Sequence, residues 1–397
     1  MLLTSRGLIV RIVAGFINHG DSESLRKAFK NLRDLVSQLL GSWFMANSAC
    51  LIFCDFALSK PFLLLLSWLF FFAVQKLWAG YNPYMRRAII IYNPAAGRYS
   101  VKPFIKFAVK ELESAGWRVD AAETQSGEHT IELAKQAAAE KKEAVFAVGG
   151  DGTIGNVVNG LVGSETALGV LPAGTSNVWG YELGLRPFAW TSPWVLRKNA
   201  SILANAPCHA VDVGTCNQYS FMMWAGIGLD ALTIHSMEPR IRLEKFFTLP
   251  EYTAKTIWNA AQWSGVQLRL WADGQEVEGH FIVAVTTNIR HYLGGHSKLS
   301  PDAYLDDGLL DIWLFSGSNL GDALRHAYDM WRGNHLTSDA ARKITFNTLH
   351  VEGEAPFWIQ TDGEARGSAQ TVEITVQTRV LRLLTPPGAM DLLKHKM

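Results

Sequence analysis

The distribution of hydrophobic and polar positions divides the chain into three parts. Residues 35–85 contain only three charged side chains, Asp55, Lys60 and Lys76. Within this stretch, residues 35–54 carry no charge and are numerous enough, as a helix, to cross the apolar core of a bilayer. The uncharged run 61–75 is shorter. It can cross the apolar core only if the side chains of Lys60 and Lys76, at its two ends, extend their charged groups toward the membrane surfaces. We therefore predict an apolar helical membrane segment and assign it to residues 1–84.

Two membrane arrangements of this segment stay open. In a helical hairpin that turns near Pro61, both ends lie on one side, and the basic residues that flank the hairpin place that side in the cytoplasm. In the second arrangement, a re-entrant or interfacial pair enters a single leaflet. A buried helical hairpin of a soluble protein is the alternative without a membrane. In either membrane arrangement, we expect a membrane-associated protein with the rest of the chain on the cytoplasmic side.

From residue 88 onward, short apolar runs alternate with amphipathic segments. The runs 88–92, 144–148 and 167–171 predict buried strands, and a further strand is expected at 118–122. Helix-forming segments lie between them. Regular alternation of strands and helices is typical of a parallel, Rossmann-like sheet. We predict an α/β domain at residues 85–206.

The rhythm changes after residue 207, where strand-like runs dominate. Asp-Gly pairs at 273–274, 307–308 and 362–363 separate several of these runs, and this dipeptide favours tight turns. We predict a mainly antiparallel, β-sandwich-like domain at residues 207–397. The predicted fold class is therefore α/β: a Rossmann-like domain and a C-terminal antiparallel β-rich domain, preceded by an apolar helical membrane segment.

Composition narrows the functional classes. The 37 basic and 36 acidic residues give a net charge of +1, which excludes a polybasic nucleic-acid binder, and no nucleic-acid partner is expected. The four cysteines form no metal-ligand spacing and are too few for a disulfide scaffold. The mean hydropathy of +0.07 is high for a soluble enzyme, and the apolar residues of 35–85 account for the excess.

Three glycine-bearing loops follow three of the predicted strands. They are 93–97 (NPAAG), 149–153 (GGDGT) and 174–177 (GTSN). Open α/β sheets bind ligands at the carboxyl ends of their strands, and glycines there leave backbone N–H groups accessible to phosphate oxygens. The chain has no GxxxxGK[ST] loop. The three loops together therefore indicate a phosphate-binding site of another kind.

Seven motifs together resemble the diacylglycerol kinase catalytic family, which includes bacterial lipid kinases, sphingosine kinases and ceramide kinases. They are IIYNPAAG (90–97), FAVGGDGT (146–153), VVNGL (157–161), LGVLPAGTSN (168–177), WAGIGLDA (224–231), SPDAYLDDGLLDIW (300–313) and QTDGE (360–364). NAD kinases and phosphofructokinases share GGDGT alone. Its combination with GTSN and the late DGE is much more selective.

The resemblance implies an ATP site in the α/β domain. It assigns the nucleotide-binding residues as Asn93, Pro94, Ala95, Ala96, Gly97, Thr124, Gly149, Gly150, Asp151, Gly152, Thr153 and Thr175. Asp151 is also expected to be catalytic, by holding a water network on Mg²⁺ that neutralises the β- and γ-phosphates. Phosphoryl transfer depends mainly on positioning and charge neutralisation, which an acidic residue beside amide-rich loops can provide.

The resemblance also implies a general base and a second cation site in the β-rich domain. Glu364, in TDGE, is the expected base that accepts the proton of a lipid hydroxyl, and it must fold back to the cleft to do so. The cation site maps to Tyr304, Asp307 and Leu309, with the Asp307 side chain and two backbone carbonyls as ligands. Such oxygen-only ligands suit Mg²⁺ or Ca²⁺.

Three residues depart from the usual family motifs. Gly155 and Asn156 stand where Asn-Glu commonly follows GGDGTI, and Val178 stands where an acidic residue commonly follows GTxN. Two acidic positions near the expected phosphates are thereby absent. This departure is compatible with a related substrate class or with weak activity.

We expect an ATP- and Mg²⁺-dependent lipid kinase. It would move the γ-phosphate to a hydroxyl of a diacylglycerol, a sphingoid base or a related lipid at the membrane surface. The expected partners are the lipid substrate and the membrane, and a homodimer stays open. Two alternatives remain: an NAD kinase-like enzyme, which shares GGDGT, and a catalytically inactive membrane-tethered nucleotide sensor, which the three departures favour.

Overall fold

The fold is given by a computed structural model, which describes residues 85–97, 99–237, 256–295 and 297–395. The strands are β1 (Arg86–Tyr92), β2 (Trp117–Glu123), β3 (Ala144–Gly149), β4 (Ala167–Pro172), β5 (Cys208–Cys216), β6 (Tyr219–Phe221), β7 (Trp224–Gly228), β8 (Val266–Ala272), β9 (Gln275–Thr287), β10 (His291–Tyr292), β11 (Ser297–Lys298), β12 (Leu310–Ser316), β13 (Ala341–Phe346), β14 (Thr348–Thr361) and β15 (Glu364–Leu384). The α-helices include α1 (Ile105–Ser114), α2 (Gly127–Ala139), α3 (Asp151–Leu161), α4 (Val178–Glu182), α5 (Trp194–Ala204), α6 (Leu229–Ser236) and α7 (Leu320–Arg332).

Strands β1 to β4 form a parallel sheet in the order β4-β3-β1-β2. Strands β3 and β4 are buried along their whole length, which explains their nearly continuous apolar sequences. Helices pack in two pairs, α1 with α5 and α2 with α3, and cover the sheet. Because all four strands run the same way, the loops that follow β1, β3 and β4 meet at one edge. This is the predicted Rossmann-like arrangement.

The strands after β4 pair mainly in antiparallel fashion. Strand β14 pairs with β7, β8 and β15, while β9 pairs with β7, β8 and β12. The inward side chains of this half form a hydrophobic core of its own, which includes Leu270, Phe281, Ile312, Leu349 and Ile374. The Asp-Gly pair at 273–274 makes a tight turn between β8 and β9, with both residues at positive φ. The predicted antiparallel β-rich half is confirmed.

Strand β15 connects the two halves. It pairs antiparallel with β14 and β5. Near its end, Leu383 pairs in parallel fashion with Leu168 of β4. Leu381, Leu383 and Leu392 are buried in the core of the α/β half. The chain end therefore returns to the first half, and the described residues form one compact unit. The division predicted between residues 206 and 207 stays a prediction.

The predicted apolar helical membrane segment requires correction. Among the described residues, no helix is both long and apolar enough to cross a membrane. The longest described α-helices, α2 and α7, have 13 residues each. A helix of that length spans about 20 Å, which is less than the roughly 30 Å core of a bilayer. Residues 1–84, to which the segment was assigned, lie outside the described residues.

The sequence pattern predicts single strands over 219–224 and over 343–351, and the structure divides both. The apolar run 219–224 is divided between β6 and β7, because the N–H groups of residues 222–224 donate to Asp362 instead of continuing one strand. The run 343–351 is divided at Asn347, whose N–H donates to the Asp273 carboxylate. In both places, an aspartate from elsewhere in the chain binds backbone N–H groups and so interrupts the hydrogen bonding between strands.

Candidate active site

The three glycine-bearing loops contact one another at the carboxyl edge of the parallel sheet. A Cβ atom added to Gly174 would overlap the Cα atom of Gly150, so the second and third loops touch backbone to backbone. Gly97 has a φ of +66°, and a Cβ atom there would lie 2.7 Å from the carbonyl oxygen of Ala173. Only glycine fits these close approaches. The structure therefore brings the predicted phosphate-binding loops into a single site.

Asn93 ties the first loop to the second. Its Oδ1 accepts the N–H of Ala95 at 2.8 Å, which closes the turn over Pro94, and its Nδ2 donates to Oγ1 of Thr153 at 3.4 Å. The N–H of Asn93 also donates to the carbonyl of Val148 at the end of β3. These bonds fix the path of the NPAAG loop beside GGDGT. Backbone N–H groups of both loops are thus held at one edge, as anion binding requires.

The carboxylate of Asp151 is bound by the start of helix α4. Its two oxygens accept the N–H groups of Val178 and Trp179, each at 3.1 Å. Burial raises the pKa of Asp151, and these amide donors oppose the rise. A carboxylate at a helix N-terminus satisfies N–H groups that have no partner within the helix. Asp151 therefore joins the second loop to the third, and its expected role in a Mg²⁺ network stays a prediction.

The third loop is shaped by Asn177, which the sequence analysis did not single out. Asn177 has a φ of +56°, and its side chain both accepts the N–H of Gly174 at 2.6 Å and donates to the Gly174 carbonyl at 2.8 Å. The side chain is buried. Thr175, at the tip of the same loop, is exposed at the site. Thr124 is buried just after β2, and its N–H donates to the carbonyl of Tyr92.

Replacing Gly174 by alanine is expected to weaken ATP binding by at least about tenfold, or about 1.4 kcal/mol. The added methyl group overlaps Gly150 Cα and forces two nucleotide loops apart. Calorimetric titration with a non-hydrolysable ATP analogue measures the change. Gly388→Ala is the matched control, because nothing lies within 4 Å of its added Cβ. Equal dissociation constants in the two variants would show that this loop contact does not shape the nucleotide site.

The β-rich half contributes the turn 362–364 to the same edge. Glu364, the first residue of β15, places Oε1 3.4 Å from the position that a Cβ atom on Gly152 would take. The residue is exposed. The predicted return of Glu364 from the second half to the loops of the first is therefore observed. A carboxylate at this point can accept a proton from a hydroxyl that enters beside the phosphate loops.

The turn depends on Asp362, a residue that the sequence pattern presents only as half of an Asp-Gly pair. Its carboxylate accepts the N–H groups of Met222, Met223 and Trp224 at 2.8 to 3.1 Å. Its own N–H donates to the carbonyl of Trp224, and its φ is +50°. Burial raises the pKa of Asp362 to about 6, and the charge of Asp151 adds to the rise, although the three N–H donors lower this pKa. Asp362 thereby anchors the turn that presents Glu364.

The raised pKa of Asp362 predicts a pH dependence of stability. Because the folded state holds this proton more tightly than the unfolded chain, the stabilising contribution is present below pH about 4 and is lost as the pH rises to about 6. The size is at most about 3 kcal/mol. Denaturant unfolding between pH 4 and 7 checks it by comparison with Asp362→Asn, which cannot titrate. Parallel pH profiles of the two proteins would contradict the prediction.

The predicted second cation site lies in a cavity of about 260 Å³ in the β-rich half. Tyr304, Asp307 and Leu309 line it together with oxygen-bearing neighbours that include Asn288 and Asp311. Oδ1 of Asn288 is buried and has no hydrogen-bond partner within the described residues. Oδ1 of Asp307 accepts the N–H of Leu309 at 3.2 Å. Oxygen atoms of this kind are the ligands that Mg²⁺ and Ca²⁺ prefer.

Lysines share this cavity with the carboxylates. Lys343 pairs with Asp302 and Asp311 at 2.8 and 3.0 Å, and Nζ of Lys394 lies 3.7 Å from Oδ2 of Asp307. Within the part of the chain that the structure describes, no three His, Cys, Asp or Glu side chains form a metal-binding group. The assignment of Tyr304, Asp307 and Leu309 rests on one carboxylate and two carbonyls. It stays a prediction.

The structure shows the surroundings of the three departures from the family motifs. Gly155 faces the Asp362 carboxylate, and an added Cβ would lie 3.9 Å from its Oδ2, so the position has room for a side chain. Asn156 packs against the start of helix α2 at Gly127. Val178 is buried and uses its backbone N–H to bind Asp151. None of the three substitutions disrupts the contacts between the loops.

Comparison with known proteins gives the same two halves. The family model for the diacylglycerol kinase catalytic domain matches residues 87–216, and the model for the YegS C-terminal NAD kinase beta sandwich-like domain matches residues 225–385. A diacylglycerol kinase of Bacillus subtilis (strain 168) is 29% identical over 71% of this chain and 91% of its own length. A diacylglycerol kinase of Staphylococcus carnosus (strain TM300) is 30% identical over 71% of this chain and 90% of its own length.

A solved structure shares the fold. The crystal structure of a diacylglycerol kinase from Bacillus anthracis (strain Sterne) superposes with a TM-score of 0.59 at 20% identity, and covers 77% of this chain and 99% of that one. The family models and the relatives together reach from the first nucleotide loop through β15. The resemblance based on the seven motifs is confirmed. The chain belongs to the diacylglycerol kinase catalytic-domain family and is, by that membership, a lipid kinase.

Proposed function

We propose that this chain transfers the γ-phosphate of ATP, with Mg²⁺, to a hydroxyl of a diacylglycerol. The observation that carries the proposal is the position of Glu364 beside the second nucleotide loop. Its Oε1 lies 3.4 Å from the point that a Cβ atom added to Gly152 would occupy. An acceptor hydroxyl bound beside Glu364 would have a base within hydrogen-bond reach and would lie next to the loops that hold the phosphate. The names of the relatives favour diacylglycerol over other lipids.

Each part of the site has a distinct task in this proposal. Backbone N–H groups of loops 93–97 and 149–153 hold the phosphates, and Asn93 keeps the two loops together. Glu364 orients the acceptor hydroxyl and takes its proton as the phosphoryl group leaves ATP. Mg²⁺, when bound, supplies the positive charge that the phosphates need. Asp151 holds the third loop at the correct distance through Val178 and Trp179.

A second candidate is an NAD kinase-like activity. The observation in its favour is the match of residues 225–385 to a domain described as NAD kinase beta sandwich-like. In that case the acceptor is a ribose hydroxyl instead of a lipid hydroxyl, with the same base and the same phosphate loops. The two candidates differ only in what the β-rich half binds.

An acceptor panel separates the candidates. Purified full-length protein is given γ-labelled ATP and Mg²⁺ with diacylglycerol in mixed micelles, sphingosine in mixed micelles, or NAD in solution. We expect label in phosphatidic acid and none in NAD phosphate. Label in NAD phosphate alone would replace the proposal by the second candidate. Binding of ATP without transfer to any acceptor would favour the inactive sensor.

A further inference from the structure

An exposed aromatic patch lies beside the nucleotide site. We define it by Tyr99, Phe104, Phe107 and Trp190, with Trp194 as its neighbour at the start of α5. The ring centroids of Trp190 and Tyr99 are 5.9 Å apart, those of Trp190 and Phe104 5.5 Å, and those of Phe104 and Phe107 6.3 Å. Trp190 is 56% exposed and Trp194 63%. Clustered exposed aromatics of this size are typical of an interaction surface.

The aromatic patch lies at the carboxyl edge of the parallel sheet. Tyr99 follows Gly97 of the first nucleotide loop by two residues. The segment that carries Trp190 is held beside the end of β4, because the N–H of Phe188 donates to the carbonyl of Pro172 at 2.8 Å. Phe188 itself packs on Phe104, with centroids 5.3 Å apart. The patch and the nucleotide loops therefore share one edge of the molecule.

The charge around the aromatic patch is mainly positive. Its two segments, 99–110 and 186–198, contain three basic residues each and no acidic residue: Lys102, Lys106, Lys110, Arg186, Arg197 and Lys198. All six are exposed, and Lys106 lies over the ring of Phe107, with Nζ 5.4 Å from the centroid. Lys102 pairs with Glu123 at 2.6 Å and Arg197 with Glu111 at 2.7 Å, and the six basic residues still outnumber these two glutamates. An anionic surface would therefore meet an excess of complementary charge at the patch.

A second exposed apolar face provides the contrast. Helix α7 presents Leu324, Tyr328 and Trp331 to solvent, with Trp331 66% exposed. The helix carries two acidic and two basic residues, so its charge is balanced. It does not border the nucleotide loops in sequence. Exposed tryptophan is thus common to both faces, whereas an excess of positive charge belongs to the aromatic patch.

We propose that the aromatic patch is a docking surface for an anionic lipid bilayer. The proposal rests on the proposed function, because an acceptor such as diacylglycerol resides in a lipid surface and the site must approach it. Tryptophan and tyrosine favour the interface between water and lipid. Lysine and arginine side chains near an anionic membrane add electrostatic attraction. Docking through this edge turns the nucleotide loops and Glu364 toward the bilayer.

Hydrogen exchange measured by mass spectrometry tests the proposal with the full-length protein. We expect vesicles of phosphatidylcholine mixed with phosphatidylglycerol to slow exchange in residues 99–110 and 186–198. Vesicles of phosphatidylcholine alone should do so less, and added salt should reduce the effect. Residues 320–332 should exchange at the same rate throughout. Because the readout is local, it is independent of other contacts that the chain makes with the vesicle.

Two matched variants connect docking to turnover. Trp190→Glu places a negative charge in the aromatic patch, and Trp331→Glu places the same charge on α7. We expect Trp190→Glu to abolish the protection and to raise KM for diacylglycerol in anionic vesicles about tenfold or more, with kcat unchanged. Its activity on a short-chain, water-soluble diacylglycerol should equal that of the wild type. Trp331→Glu should match the wild type in every assay.

Several outcomes would overturn the proposal. If anionic vesicles leave hydrogen exchange unchanged in both segments, the aromatic patch is not a docking surface. Protection that rises with protein concentration in the absence of vesicles assigns the face to a second copy of the chain. An effect of Trp331→Glu in place of Trp190→Glu moves the surface to α7. Protection without phosphorylation of any lipid keeps the docking surface and rejects the proposed function, so the two failures are distinguishable.

Discussion

Glu364→Gln is expected to lower kcat for lipid phosphorylation by about 10²- to 10⁴-fold. Glutamine keeps the size of the side chain and its contact with the second loop, but it cannot accept the proton of the acceptor hydroxyl. The phosphate loops are unchanged, so the dissociation constant for ATP should stay at the wild-type value. Initial rates of label transfer to diacylglycerol, with calorimetric binding of ATP, measure both quantities.

The control for this variant is another exposed glutamate of the same strand pair. Glu354→Gln, on β14, makes the same chemical change away from the loops. It should leave kcat and the dissociation constant for ATP unchanged. If Glu364→Gln retains more than about one tenth of wild-type kcat, Glu364 is not the general base, since removal of a positioned base costs at least about 100-fold.

Asp362→Ala is expected to lower the free energy of unfolding by about 3 kcal/mol or more. The substitution leaves the N–H groups of Met222, Met223 and Trp224 without their acceptor. Each buried donor that loses its partner costs about 1–3 kcal/mol. Because Asp362 also anchors the turn that carries Glu364, kcat should fall with stability. Denaturant unfolding at pH 7 and initial rates well below the unfolding midpoint measure the two effects.

Asp362→Asn removes one acceptor oxygen and keeps the size of the side chain, whereas Asp362→Ala removes both oxygens and the side chain. Asparagine keeps one acceptor oxygen, which can still serve two of the three donors, so its loss of stability should be smaller than that of the alanine variant. A cost below about 1 kcal/mol for Asp362→Ala would mean that water replaces the carboxylate at these amides. The turn would then have to be held in place by contacts other than Asp362.

The α/β half follows closely from the sequence because burial on both faces leaves a clear pattern. The runs at 88–92, 144–148 and 167–171 are apolar throughout, and they become the strands β1, β3 and β4. Glycines mark the loops that touch, and the close approach of Gly174 to Gly150 explains why no other residue fits there. The strands of this half are predictable because each is a continuous apolar run bounded by a glycine-bearing loop or a helix.

The long strands β14 and β15 were visible in the sequence only in pieces. They alternate exposed and buried positions with irregular register, so the pattern predicts short strands such as 357–360 and 371–376. The parallel pairing of Leu383 with Leu168 joins residues more than 200 positions apart, which no local pattern encodes. The return of the chain end to the α/β half therefore required the structure.

The buried carboxylates show a second limit of sequence reasoning. Asp362 looks like an exposed turn residue because Asp-Gly pairs usually occupy surface turns. Its role depends on the N–H groups of 222–224, some 140 positions away. Asp151 was expected at the phosphates, and the structure adds that its oxygens bind the start of α4. Partners of this kind are set by tertiary contacts alone.

The most direct test of the central claim is the ratio of lipid phosphate formed to ADP released. Purified full-length protein is incubated with ATP, Mg²⁺ and diacylglycerol, and both products are quantified by mass spectrometry. A site that transfers phosphate to the lipid predicts a ratio of one, and Glu364→Gln should lower both products together. Release of ADP without lipid phosphate, or formation of NAD phosphate when NAD replaces the lipid, would contradict the account.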